Sequence, residues 1–182
     1  MTLPNLDTTN TYTTDSPTDN DGFVDFVSYR VLAPGGTNVF AIPLGTSIPM
    51  IWAFASFTGN TSGCNGMQYH SGNRNTWALT INENGTSTSS GNNGISPGVP
   101  AGVSEVLNVP SLGGSLYSGY DSTTGLITYF ARVKMGTYLA IGYGKKMDNV
   151  NMFAWMAGNT LAECQGLDLY STGEHLPSTN QN

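Results

Sequence analysis

The sequence predicts an all-β fold, an antiparallel β-sandwich of about ten short strands. Three observations point there. Charged residues make up only 10% of the 182 residues, against an average of about 25%, so the helix formers Glu, Lys and Arg are scarce. Val, Ile, Thr, Tyr and Phe, which suit a pleated, half-buried surface, are plentiful. Finally, the apolar stretches are of strand length and are separated by clusters of Gly, Asn, Ser and Pro.

The elements follow in order. Residues 1–21 are polar and read as an extended or loose arm. Phe23 to Val31 is a β-rich run ended by the turn Ala33-Pro34-Gly35-Gly36, and Val39 to Leu44 reads as a second short strand. Met50 to Phe57 is almost continuously apolar, the pattern of a buried central strand. A loop over 59–66 precedes two strands, Met67 to His70 and Trp77 to Ile81. Residues 82–103 lose all periodicity and read as a linker or long surface loop. The β pattern resumes with Leu116 to Tyr120, Leu126 to Val133, Thr137 to Tyr143, Val150 to Met156 and Leu167 to Tyr170. The expected organisation is a single domain, with 1–82 and 104–182 as two halves joined by a flexible linker over 83–103.

Composition excludes several function classes. The net charge is −6 with six Lys plus Arg, so the basic footprint of a nucleic-acid binder is missing. No apolar run approaches the ~18 residues of a membrane span. The surface is rich in neutral polar residues, as in secreted β-proteins, so an extracellular or otherwise extracytoplasmic location is expected. The polar N-terminus has no apolar signal core, so a signal would have been removed or belong to a longer precursor. Cys64 and Cys164 fit one disulfide in an oxidising compartment, or two free thiols. Asn60-Thr61-Ser62 and Asn84-Gly85-Thr86 are glycosylation sequons in predicted loops. Asp7, Asp15, Asp19, Asp21 and Asp25 lack calcium-loop spacing and read as a solvated acidic arm.

Few residues carry chemistry. The chain has two histidines and lacks G-x-S-x-G, P-loop, HExxH and C-x-x-C motifs. No acid–base or nucleophile set is visible, so a binding or electron-transfer module is expected rather than an enzyme. Two segments remain. Tyr69-His70-Ser71-Gly72-Asn73-Arg74 ends a strand in a Gly turn, and Gly144-Lys145-Lys146-Met147 forms the turn between two apolar strands.

Both segments resemble one family. Tyr138-Leu139-Ala140-Ile141-Gly142, then Met147, Val150 to Trp155, Ala157-Gly158-Asn159, Asp168-Leu169-Tyr170-Ser171 and Pro177 are similar to one half of a DOMON domain. Arg30-Val31-Leu32, Ile51-Trp52-Ala53 and Tyr69-His70 with Arg74 are similar to the other half. The family includes the cytochrome domain of cellobiose dehydrogenases. Asn151 stands where the family usually has Asp after the Met, and Pro34-Gly35-Gly36 replaces an acidic turn. The resemblance implies an immunoglobulin-like, DOMON-like sandwich holding one non-covalent haem b, with His70 and Met147 as axial ligands. Thioether and imidazole together fill both axial positions of the iron, which implies electron transfer and a raised reduction potential. Trp52, Tyr143 and Trp155 are candidate pocket walls, or plain core. Arg74, Lys145 and Lys146 are candidate partners of the haem propionates, or solvated. Haem-free relatives suggest the alternative of a carbohydrate-binding or structural, polymerising sandwich.

The order of the halves is reversed. The family puts the Met half first, whereas here the His half comes first. The expectation is a circular permutant with 82–103 as the new connection. The alternative is a domain-swapped head-to-tail homo-oligomer or a unit of a tandem array. The implied partner is a redox protein or a neighbouring haem domain.

Overall fold

The computed structural model describes residues 5–6, 12–34, 40–58, 66–68, 70–85, 87–89 and 98–171, with backbone alone at 5–6 and 87–89. Its strands are β1 (Asn5–Leu6), β2 (Tyr12–Thr14), β3 (Thr18–Asn20), β4 (Phe23–Val31), β5 (Ile48–Ser56), β6 (Arg74–Ile81), β7 (Ser87–Ser89), β8 (Ser104–Val109), β9 (Gly114–Asp121), β10 (Leu126–Lys134), β11 (Thr137–Gly142), β12 (Val150–Ala157) and β13 (Gln165–Ser171). They form two antiparallel sheets, the sandwich that the sequence predicts. One runs β1-β13-β12-β11-β5-β6-β7; the other runs β2-β4-β10-β9-β8, with β3 also paired to β4. No helix among the described residues is long and apolar enough to cross a membrane.

Period-2 alternation sets which side chains face inward. From the six-stranded sheet, Val24, Phe26, Ile127, Tyr129, Ala131 and Val133 point into the space between the sheets. Met50, Phe54, Leu139, Ile141, Phe153 and Trp155 meet them from the seven-stranded sheet. Each of the Val, Ile, Leu, Phe and Met side chains among them contributes roughly 1.5–3 kcal/mol on burial. The β3–β4 hairpin turns on Asp21 and Gly22, at φ 51° and 81°. Both values lie in the left-handed region that an Asp-Gly pair supplies for a two-residue turn.

Both sheets are built from both halves of the chain. β5 pairs with β11 and β4 with β10, over registers of six and nine residue pairs. Residues 98–103, at the end of the connection between the halves, lie on the outer face of the six-stranded sheet. A side chain at Gly119 would meet the Gly102 carbonyl at 2.0 Å, and one at Gly98 would meet Arg132 Nη2 at 3.4 Å. Only glycine lets the backbones pass this closely. Arg132 binds Asp25 there through two bonds of 2.7 and 2.8 Å.

Several sequence expectations need correction. The N-terminal arm contributes strands, and Tyr12 is buried in the core. Asp25 is buried and ion-paired rather than solvated. Phe40 to Leu44 is not a strand; Ile42 N–H instead donates to Leu32 O at 2.8 Å. Met67 makes a single bridge to Phe57 instead of opening a strand. β7 lies inside the stretch 82–103 that reads as structureless, because it adds to β6, and β8, just after that stretch, adds to β9 where the sequence suggested no strand. The single helical turn among the described residues, Leu161–Glu163, is closed by a Thr160–Glu163 capping box.

Candidate functional site

The seven-stranded sheet is largely apolar on both faces over β5, β11 and β12. Its outer face carries one row that runs across five strands: Arg74, Ala53, Ala140, Ala154 and Leu167, each directly opposite the next. The row on one side is Ala55, Tyr138 and Met156; on the other it is Ile51, Gly142, Met152 and Leu169. The three alanines form one row of small side chains; of their flanking neighbours Ile51, Tyr138, Met152 and Met156 are larger, whereas Ala55 and Gly142 are not. With strands ~4.8 Å apart, this trough of small side chains is about 10 Å across. The alanines and their apolar neighbours on β5, β11 and β12 are buried. At Gly142 a side chain would strike Ile51 Cγ1 at 2.9 Å and Met152 Cγ at 3.1 Å, so the two larger residues close over that position.

Met147 sits at one end of this face. Its side chain is half-buried and packs against the cluster that contains Ile51, Ala140, Val150 and Met152. Its backbone is held, since Ser171 Oγ donates to Met147 O at 2.6 Å. Tyr170 Oη donates to Asn149 Oδ1 at 3.3 Å in the same turn. Asn151, where the resemblance expects Asp, is buried and donates to Asp168 Oδ1 at 3.3 Å.

His70 lies beside β5. Phe57 bridges Met67, Gln68 N–H donates to Ser56 O at 3.0 Å, and Phe54 N–H donates to Asn73 O at 3.0 Å. Residues 70–72 therefore bulge out beside Ala55, between these attachments to β5. Asn73 N–H closes the bulge onto His70 O at 2.8 Å, with Ser71 at φ 49°. The His70 side chain is buried, and Nδ1 is 3.3 Å from Ser71 O. In the tautomer that donates this bond, Nε2 carries the lone pair, the arrangement that orients a ligating imidazole. Tyr138 Oη donates to Gln68 O at 3.0 Å, tying this connection over the edge of the outer face. Burial pushes the Tyr138 phenol above its ordinary value, so it remains a donor.

The chain matches no protein-family model, no curated protein and no solved structure.

The other candidates separate by face. Arg74 is exposed on the outer face, directly opposite Ala53, and Lys145 and Lys146 are exposed on the Met147 turn. Trp52, Tyr143 and Trp155 lie on the opposite face of the sheet, in the core between the sheets. They face away from the trough because they follow the other parity of β5, β11 and β12. Trp155 is fully buried and donates Nε1–H to Ser28 Oγ at 2.9 Å. Cys164 is half-buried, its thiol donates to Thr160 O at 3.2 Å, and burial pushes its pKa up. Cys64 and Asn60 lie outside the described residues, whereas Asn84 is exposed on a turn. No three His, Cys, Asp or Glu side chains converge among the described residues. A haem iron, supplied with four nitrogens by its macrocycle, takes only two axial side chains from the protein.

The trough residues Ala53, Ala140 and Ala154 escape sequence reasoning. Their signal is that β5, β11 and β12 are apolar at both parities, which means that both faces are covered.

Proposed function

We propose that this chain is a circularly permuted DOMON-like electron-transfer module that holds one haem b between His70 and Met147. The observation that carries the reading is the apolar outer face of β5, β11 and β12, with its buried row of alanines, which has the His70 connection at one end and the Met147 turn at the other. A flat apolar ring system needs a floor of small side chains, and an outer sheet face is usually polar instead. When bound, the haem supplies a one-electron couple. His70 would supply an imidazole nitrogen, with its Nδ1 3.3 Å from Ser71 O. Met147 offers a thioether on a turn fixed by Ser171. Arg74 and Lys145–Lys146 stand at the rim as counter-charges for carboxylates. With both axial positions taken, the role is electron exchange with a redox protein or a neighbouring haem domain in an extracytoplasmic setting.

The carbohydrate-binding alternative requires exposed aromatic platforms, and every described Trp and Tyr is buried or half-buried. The test is the absorption spectrum of the purified chain with added haemin, oxidised and then reduced. A narrow low-spin reduced spectrum that His70→Ala abolishes is expected. Met147→His should keep the haem and lower its potential. A chain that leaves haemin unbound, or an unchanged spectrum in His70→Ala, would overturn the assignment.

A further inference from the structure

The electron-transfer reading leaves one motif unused, the triplet Asn84-Gly85-Thr86. Its first two residues lie in the turn that follows β6. Gly85 N–H donates to Asn82 O at 3.1 Å and closes the turn, with Gly85 at φ 87°. Tyr120 N–H donates to Gly85 O at 3.1 Å. A side chain at Gly85 would meet Tyr120 O at 2.8 Å, so the turn itself requires glycine there. Asn84, beside it, is exposed.

The position of this turn gives the triplet its meaning. β7, which follows it, is the last strand of the seven-stranded sheet, and β8 is the last strand of the six-stranded one. Among the described residues each pairs on one side only, β7 with β6 and β8 with β9. The two strands lie alongside each other across the sandwich. Pairing of β8 with β9 begins at Ser104 opposite Ser118, so Tyr120 lies just beyond the end of β8. The bond from Tyr120 N–H to Gly85 O therefore ties the turn to β9 where β8 stops. Asn84 stands where the open edges of both sheets come together.

An open edge offers unpaired N–H and C=O groups to any other strand, and β-proteins blunt such edges with charge, proline, bulges or a cover. β8 has a bulge between Glu105 and Leu107. β7 reads Ser87-Thr88-Ser89, with neither charge nor proline. We propose that Asn84 carries an N-linked oligosaccharide and that this sugar covers the two edges. The donor is an oligosaccharide joined through C1 to a lipid diphosphate. Asn84 Nδ2 forms the new bond to C1, and the C1–O bond to the diphosphate breaks. The lipid diphosphate leaves with the bonding pair, and one amide proton passes to solvent. The product is bulky and hydrated, and a docking strand would have to displace it. The inference rests on the extracytoplasmic setting and stands apart from the haem assignment.

The test secretes the full chain, behind a cleavable leader, from cells whose secretory pathway attaches N-linked sugars. Cleavage after Arg74 separates residue 84 from the triplet at Asn60. The mass of the peptide that contains residue 84 is measured before and after treatment with peptide:N-glycosidase F. The wild-type peptide should carry an oligosaccharide and lose it to the enzyme. Asn84→Gln and Thr86→Ala, the second of which keeps the asparagine, should both lack it. At equal concentration both folded variants should form thioflavin-positive aggregates after a shorter lag than the wild type. An unmodified Asn84 in the secreted wild type would overturn the proposal. A glycosylated Asn84 whose loss in both variants leaves the lag unchanged would overturn the shielding of the edges.

Discussion

Single residues are held mainly by partners remote in sequence, and this limits what a linear reading reaches. Trp155 is an example. Its position on an apolar strand suggests a pocket wall, but its indole N–H is committed to Ser28 Oγ at 2.9 Å, across the core. Ser28 is fully buried and also pairs with Thr14 Oγ1 at 3.0 Å. Ser28→Ala should strand the indole donor without access to water. The expected loss is about 1–3 kcal/mol of stability, read as a lower urea midpoint at unchanged m-value. An unchanged midpoint would mean that the indole finds another acceptor. His70 and Met147 stand out in the sequence because their neighbours form recognisable segments. The burial of Arg30 does not, because nothing in Arg30-Val31-Leu32 says which parity of the strand faces inward.

At the scale of the element, the apolar run over residues 50–57 is legible as a buried central strand, and β5 indeed lies between β11 and β6. The runs that become β11 and β12 carry the same message of two covered faces. The trough itself is hidden because it exists only once register places Ala53, Ala140 and Ala154 side by side. The strand expected over 39–44 fails for a related reason. Its apolar residues contact the core, as Phe40 does by stacking on Tyr143 at 5.2 Å, without finding a ladder partner. Register makes the trough testable. Ala140→Leu places a branched side chain at its centre while leaving Leu139 and Ile141 in the opposite core. The variant should fold with a loss of about 1–3 kcal/mol from overpacking and should no longer take up haemin. A folded Ala140→Leu variant that still binds haemin would move the haem away from this face.

The whole molecule is one sandwich made from two interleaved halves. The seam runs between β5 and β11 in one sheet and between β4 and β10 in the other, so neither half closes a core alone. A reversed order of the halves is an expectation of the resemblance alone. The course of residues 98–103 is not legible in the sequence, because a Gly-rich stretch without periodicity gives no sign that Gly102 will lie against Gly119. At the opposite edge, β1 pairs with β13, with Leu6 opposite Leu169 and Asn5 opposite Tyr170, so the first and last described strands are neighbours. Chains whose ends adjoin tolerate being joined there and opened elsewhere. A reordered chain that runs from residue 98 to 182, continues directly into residue 1 and ends at 89 should therefore fold as a monomer. Its far-ultraviolet circular dichroism should match that of the parent. Its urea midpoint should fall only modestly, because segment 98–103 still crosses the six-stranded sheet but now as a free end. Size-exclusion chromatography separates the alternatives. A monomeric, folded product means that the two halves meet within one chain. A product that folds only as a dimer or longer assembly would mean that the halves pair between chains, with the seam as the interface.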